Sequence, residues 1–162
     1  MTAVNTWRIA TESPHYKANS LCGTGAKQTG GRWNRKGMAA VYTSSNIALA
    51  CLETLVHLGA ASLPLNRYLV RIDIPSNVWA KRMELSPSDV PVGWDAEPAG
   101  MASLDVGDLW LKAQKHPILV IPSVIVPEES NVIINPDHSL SQGIHAQVIR
   151  KWLYDQRLNA RT

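Results

Sequence analysis

No apolar run in the 162 residues approaches the ~18 that a membrane-spanning helix needs, which argues against a helical membrane protein. Cysteine occurs twice, as Cys22 and Cys51, too few for a disulfide framework and without metal-ligand spacing. Cys51 falls inside an apolar helical pattern, where a cysteine behaves as a small core residue. A reducing cytoplasm is the compartment this usage implies. The first residues, Met1-Thr2-Ala3-Val4-Asn5-Thr6, lack a basic segment followed by an apolar core, so no secretory leader is expected. The chain has no Walker loop, no dinucleotide glycine fingerprint, no H-E-x-x-H and no G-x-S-x-G, so the commonest nucleotide, zinc-hydrolase and serine-hydrolase signatures are missing. Neither sign of charge dominates: 16 Lys and Arg against 13 Asp and Glu give a net charge of only +3. That mild excess suits an acidic partner or a phosphorylated small molecule and falls short of a dedicated nucleic-acid surface.

What is present fits one ordinary domain, residues 1–162, large enough to bury a single core. There is no repeat and no linker that would divide it. Strands are expected at Val4 to Ala10, Ala39 to Thr43 and Asn66 to Ile74. The last alternates, with Tyr68, Val70, Ile72 and Ile74 on one side and Arg67, Leu69, Arg71 and Asp73 on the other. Val78 to Met83 and Asn131 to Asn135 read as further strands, and Pro117 to Pro127 as two strand segments joined by a kink at Pro122-Ser123. Gln147 to Tyr154 fits helix or strand. Thr11 to Thr29 reads as a long loop or a short irregular helix, and Ser86 to Ala99 as turns. Helices are expected after the capping residues Ser44, Ser45 and Asn46, and over Met101 to Gln114. Strands outnumber helices without alternating with them, which indicates an α+β domain.

Three polar groups stand on three consecutive elements. Arg32 follows Gly30-Gly31, whose backbone freedom lets a turn approach an anion while the guanidinium offers paired donors. Taken alone, a solvated basic turn is the better explanation of it. Tyr42 ends a strand, where a half-buried core aromatic is the ordinary role. Glu53 lies on a helix whose apolar positions 48, 49, 52, 55 and 56 read as the core-facing stripe, which puts it at the stripe's border. A carboxylate there is half desolvated and needs a donor from outside its helix. A salt bridge, with Arg32 itself as partner, is the structural alternative. Ser123, within the most apolar run, must hydrogen-bond something. His57, His116, His138 and His145 are scattered, and no metal site is expected.

Together the run Gly30-Gly31-Arg32-Trp33-Asn34 with Gly37, then Val41-Tyr42-Thr43-Ser44, Ala48-Leu49-Ala50, Leu52-Glu53 and Val56-His57 resembles the RES domain. The later Ile121-Pro122-Ser123, Asn131, Asn135-Pro136, His138, Asp155 and Arg157-Leu158 follow the same pattern in order, so the resemblance spans nearly the whole chain. The family's Arg, Glu and Ser are here Arg32, Glu53 and Ser123. Arg35 and Gln156 stand where proline is common, and neither is a presumed catalytic position.

The resemblance implies the toxin of a bacterial type II toxin–antitoxin pair, working in the cytoplasm. It implies a fold similar to ADP-ribosyltransferases, a split and largely antiparallel β core flanked by helices. The implied partner is an Xre-like helix-turn-helix antitoxin in a higher-order complex, through which alone DNA would be met. The implied substrate is NAD+, with no cofactor and no metal, and with inorganic phosphate as co-substrate where cleavage is phosphorolytic. Growth arrest would follow from NAD+ hydrolysis or phosphorolysis; some relatives instead transfer ADP-ribose to a protein. Catalytic roles then fall to Arg32, Tyr42, Glu53 and Ser123, and substrate binding to Arg32, Tyr42, Lys36 and Asn135. The rival reading is a ribonuclease toxin, which needs an acid/base pair such as His57 with another histidine.

Overall fold

The computed structural model describes residues 3–58 and 62–159. Seven strands form one sheet: β1 (Val4–Thr11), β2 (Val41–Ser44), β3 (Arg67–Ile74), β4 (Met83–Glu84), β5 (Ile118–Pro122), β6 (Ser130–Ile134) and β7 (His145–Trp152). Their order is β4-β5-β6-β2-β1-β3-β7. Only β4 runs parallel to its neighbour; every other pair is antiparallel.

The sheet is split. β1 pairs with β3 along its whole length, whereas it meets β2 at one register pair, Trp7 with Ser44. The halves β4-β5-β6-β2 and β1-β3-β7 therefore diverge from one seam. The chain is the expected α+β domain with a split β core.

Alternation decides which side of the sheet each strand residue serves. Val41, Ile118, Val120, Val132 and Ile134 enter one core with Val70, Ile72 and Ile74 of β3. Leu119, Ile121 and Ile133 enter a second core with Trp33, Trp110 and Leu111. β5 is buried at every position, as a central strand covered on both faces must be. β7 is the strand option at 147–154, lying on the sheet edge.

Among the described residues there are four α-helices: α1 (Thr24–Thr29), α2 (Ile47–Leu58), α3 (Ser76–Trp79) and α4 (Met101–Ala113). Two expected strands are not formed. Val78 sits in the single turn of α3, because the Pro75 carbonyl accepts the Val78 and Trp79 N–H groups and closes a helical turn. Strand character returns only at Met83. The Val124–Val126 segment is likewise not a strand, because the Ser123 hydroxyl takes the N–H groups of Ile125 and Val126 at 3.1 and 3.2 Å. A side chain competing for ladder donors turns the chain there.

α2 lies over the seam, touching both β1 and β2. Its rotation differs from the periodicity reading. Ile47, Cys51, Leu55 and Leu58 pack against Ile9, Leu69 and Tyr154, and Leu49 is fully buried, while Leu52 and Val56 are 39% and 52% exposed. Two inward faces, one toward each half-sheet, replace the single stripe. Glu53 belongs to the face turned toward β2 and β6.

Candidate active site

Glu53 is held from outside its own helix. Its Oε1 accepts the Ser123 hydroxyl at 2.8 Å and the Asn131 side-chain amide at 2.7 Å. Ser123 is completely buried and follows directly on β5. Its oxygen receives two backbone N–H groups, so its one proton is directed at the carboxylate. Glu53 Oε2 has no hydrogen-bond partner among the described residues and is the oxygen left for a ligand. Asn46 fixes the start of the helix: its Oδ1 caps the Leu49 N–H at 2.8 Å and its Nδ2 donates to Glu129 at 2.9 Å.

Tyr42 lies on the same sheet face as this cluster. On β2 it stands two residues before Ser44, and Ser44 pairs across the ladder with Asn131. Two residues of strand put about 7 Å between these rows. The Tyr42 hydroxyl accepts the Trp33 N–H at 3.1 Å and donates to Asn34 Oδ1 at 2.6 Å. Burial pushes the phenol well above its ordinary pKa, so it stays protonated.

Gly31 is needed for that contact, since a Cβ there would lie 2.7 Å from the Tyr42 oxygen. Gly30 takes φ +72, a conformation that favours glycine. Asn34, fully buried, ties the turn together by donating to the carbonyls of Ala26 and Met38, each at 2.9 Å.

Arg32 is held from a distant loop. It donates to the carbonyls of Trp94 and Ala96 at 3.0 and 2.7 Å and to the Glu97 carboxylate at 2.8 Å. Trp94 also stacks on Trp33, with ring centroids 6.3 Å apart. The Arg32–Glu53 salt bridge is not formed; the acid partner is Glu97, whose side chain is 81% exposed and free to exchange for another anion.

The structure thus brings Tyr42, Glu53 and Ser123 to one face, with Arg32 beside Tyr42 on the adjoining turn. It does not bring Asn135 there. Asn135 lies past the opposite end of β6 from Asn131, about 13 Å along the strand. It is buried, and its amide is spent on the Leu111 carbonyl and the Asp137 N–H. Lys36 is exposed on the Gly30–Gly37 turn. Arg35, standing where proline is common, pairs with Asp108 and, at 2.7 Å, with Asp105, tying the turn to α4 as a proline could not.

His57 Nδ1 donates to the Glu53 carbonyl at 2.7 Å, His116 Nδ1 to the Lys81 carbonyl at 2.9 Å, and His138 Nδ1 accepts the Leu140 N–H at 3.1 Å. Each of these three bonds goes to a backbone group, none to a second histidine.

Sequence reasoning did not single out Asn131, Asn34 or Glu97 as site residues. For Asn131 the usable signal is its polar character in the β6 run directly opposite Ser44. Two hollows of ≈ 370 and ≈ 220 Å³ lie elsewhere, the first against Leu109 and Trp110 of α4 and the second beside Ile134 and Ile144. Convergent polar groups, rather than either hollow, mark the candidate site.

The chain belongs to the RES domain family, whose model matches residues 5–156. It is 55% identical over 94% of its length to the "Prs ADP-ribosylating toxin" of Sphingobium sp. (strain YBL2), of which it covers 94%. It is 41% identical over 78% of its length to "Toxin Res" of Yersinia enterocolitica, covering 82% of that protein. Among solved structures, a chain of the M. tuberculosis MbcT–MbcA toxin–antitoxin complex superposes with a TM-score of 0.71 at 18% identity. That match covers 98% of this chain and 90% of the other, and shows the fold. Among the described residues no helix is long and apolar enough to cross a membrane.

Proposed function

We propose that this chain is the toxin of a bacterial toxin–antitoxin pair and that it breaks the nicotinamide–ribose bond of NAD+. One observation carries the reading: a half-buried carboxylate, Glu53, has one oxygen filled by Ser123 and Asn131 while the other has no partner among the described residues. In the reaction nicotinamide leaves with the electron pair of the bond. Positive charge then spreads over the ribose C1′ and ring oxygen, as in glycoside cleavage. A fixed carboxylate beside that cation stabilises it without reorganising. An acceptor oxygen or nitrogen attacks C1′ and gives up its proton.

Arg32 grips the pyrophosphate by exchanging Glu97 for a phosphate oxygen, with Lys36 adding charge at the turn. Tyr42 offers its ring as an apolar wall, because its hydroxyl is already committed to the turn. Water or inorganic phosphate as acceptor gives NAD+ loss and growth arrest. The 55% identical relative named as an ADP-ribosylating toxin favours a second reading, in which the acceptor is a protein side chain. The antitoxin is of the Xre-like helix-turn-helix kind, brings the only DNA contact, and acts in the cytoplasm.

The acceptor is resolved by incubating the protein with NAD+ labelled in the adenylate half, with and without phosphate, and with cell protein. Label in ADP-ribose, in a phosphorylated ADP-ribose, or on protein distinguishes the three. Intact NAD+ over hours at micromolar enzyme refutes the reading, and cleavage of total RNA without NAD+ would install the ribonuclease rival. Glu97→Gln weakens a competitor for Arg32, and an exposed ion pair is worth up to ~1 kcal/mol. The KM for NAD+ should therefore fall by up to about fivefold, with kcat within twofold. An unchanged or raised KM would show that Glu97 does not compete with the substrate.

A further inference from the structure

Asn131 is partly buried and makes more polar contacts than any assigned role requires. Its side chain bridges two elements: Nδ2 donates to Glu53 Oε1 at 2.7 Å, and Oδ1 accepts the Ser44 hydroxyl at 2.8 Å. Its backbone is equally fixed, because β6 is paired on both sides at this residue, with Ser44 of β2 and with Ile121 of β5. Ser44 is buried and is the β2 residue at the seam, paired with Trp7 of β1. The amide has one workable sense. Reversed, it would set its oxygen against Glu53 Oε1 at 2.7 Å with no proton between them, and the Ser44 proton would lose its acceptor.

The geometry points to Asn131 as a positioning residue for the reaction, holding Glu53 with one oxygen presented to the substrate, and to Ser44 as the anchor that fixes the Asn131 amide. This inference rests on the NAD+ reading of the site. The chain of donors runs one way, from the Ser44 hydroxyl through the Asn131 amide to Oε1, and the Ser123 hydroxyl closes on the same oxygen. Oε1 is thereby spent, and Oε2 alone meets the ribose. Rotation of the carboxylate would blur that presentation at the transition state and leave ground-state binding of NAD+ nearly intact. The seam between the half-sheets is where the anchor sits, so the split that defines the fold also sets the aim of the carboxylate.

The test combines kinetics with a spectroscopic readout. Asn131→Asp keeps the shape but faces a carboxylate with a carboxylate, and should lower kcat for nicotinamide release about 100-fold or more, with the KM for NAD+ within threefold. Ser44→Ala keeps the donor but frees its far end, and should lower kcat about five- to tenfold. In ¹⁵N-labelled protein the Asn131 side-chain amide protons should exchange slowly with water, and at least about tenfold faster in Ser44→Ala. A folded Asn131→Asp with kcat within threefold of the parent overturns the proposal. If Asn131→Asp does not fold, Ser44→Ala decides: unchanged kcat together with unchanged amide exchange overturns it. Should the parent release no nicotinamide, the NAD+ reading fails by itself, and the amide exchange still reports whether Ser44 anchors Asn131.

Discussion

Glu53→Gln folds like the parent and releases nicotinamide from NAD+ about 10²–10³-fold more slowly, the scale of losing one preorganised electrostatic contact to a transition state. Glutamine matches glutamate in shape, and its oxygen still accepts the Ser123 and Asn131 protons that hold Oε1. What disappears is the negative charge. The group left at the Oε2 position is then the neutral NH2, a donor facing a developing cation. The contact strengthens only as charge appears on the ribose, so the loss belongs in kcat while KM stays within a few-fold. Initial rates over a range of NAD+ concentrations separate the two. A large rise in KM with kcat preserved would move Glu53 from the chemistry to ground-state binding.

The largest effect on stability is expected at Gly107, which no catalytic argument touches. A Cβ at this position of α4 would lie 1.7 Å from the Trp33 carbonyl oxygen and 2.5 Å from its carbon. Both are backbone atoms, so no rotamer relieves the clash. α4 is packed directly on the turn that carries Arg32, Trp33 and Asn34, and Arg35 pairs with Asp108 on the same helix. Overpacking of this severity costs ~3 kcal/mol or more, against ~1 kcal/mol gained from replacing a helical glycine by alanine. Gly107→Ala should therefore lower the melting temperature by at least about 5 °C and reduce NAD+ affinity, because moving α4 moves Arg32. A melting temperature at or above that of the parent would show that the helix can shift at little cost.

Glu53 shows how far the chain could be read before its structure. A carboxylate at the border of an apolar helical face was bound to need an outside donor, and Ser123 and Asn131 supply it. Ser123, an isolated hydroxyl in an apolar run, was bound to find a partner, and it has three. The alternating pattern of β3 and the Asn46 cap of α2 translated directly into structure, because period and caps are local properties, whereas Ser44 ends β2 and spends its hydroxyl on Asn131 instead of capping the helix.

What was hidden is non-local. Arg32 takes all its partners 62 to 65 residues downstream, in a loop whose composition spells only turns. The rotation of α2 is set by two half-sheets meeting beneath it, which no single-helix periodicity can encode; hence Leu52 and Val56 face outward. Asn135 entered the expected site on motif order alone, and strand length places it at the wrong end of β6. Val78 to Met83 reads as strand by its apolar character until Pro75 closes a helical turn.

The Glu53 face, as we propose it, is built to separate nicotinamide from ribose. The most direct measurement is the appearance of free nicotinamide when the purified chain, freed of any antitoxin, meets NAD+. Release is expected in proportion to enzyme, abolished in Arg32→Ala and reduced by about two to three orders of magnitude in Glu53→Gln. Nicotinamide release that persists undiminished in Glu53→Gln, or none from the parent protein, would contradict it.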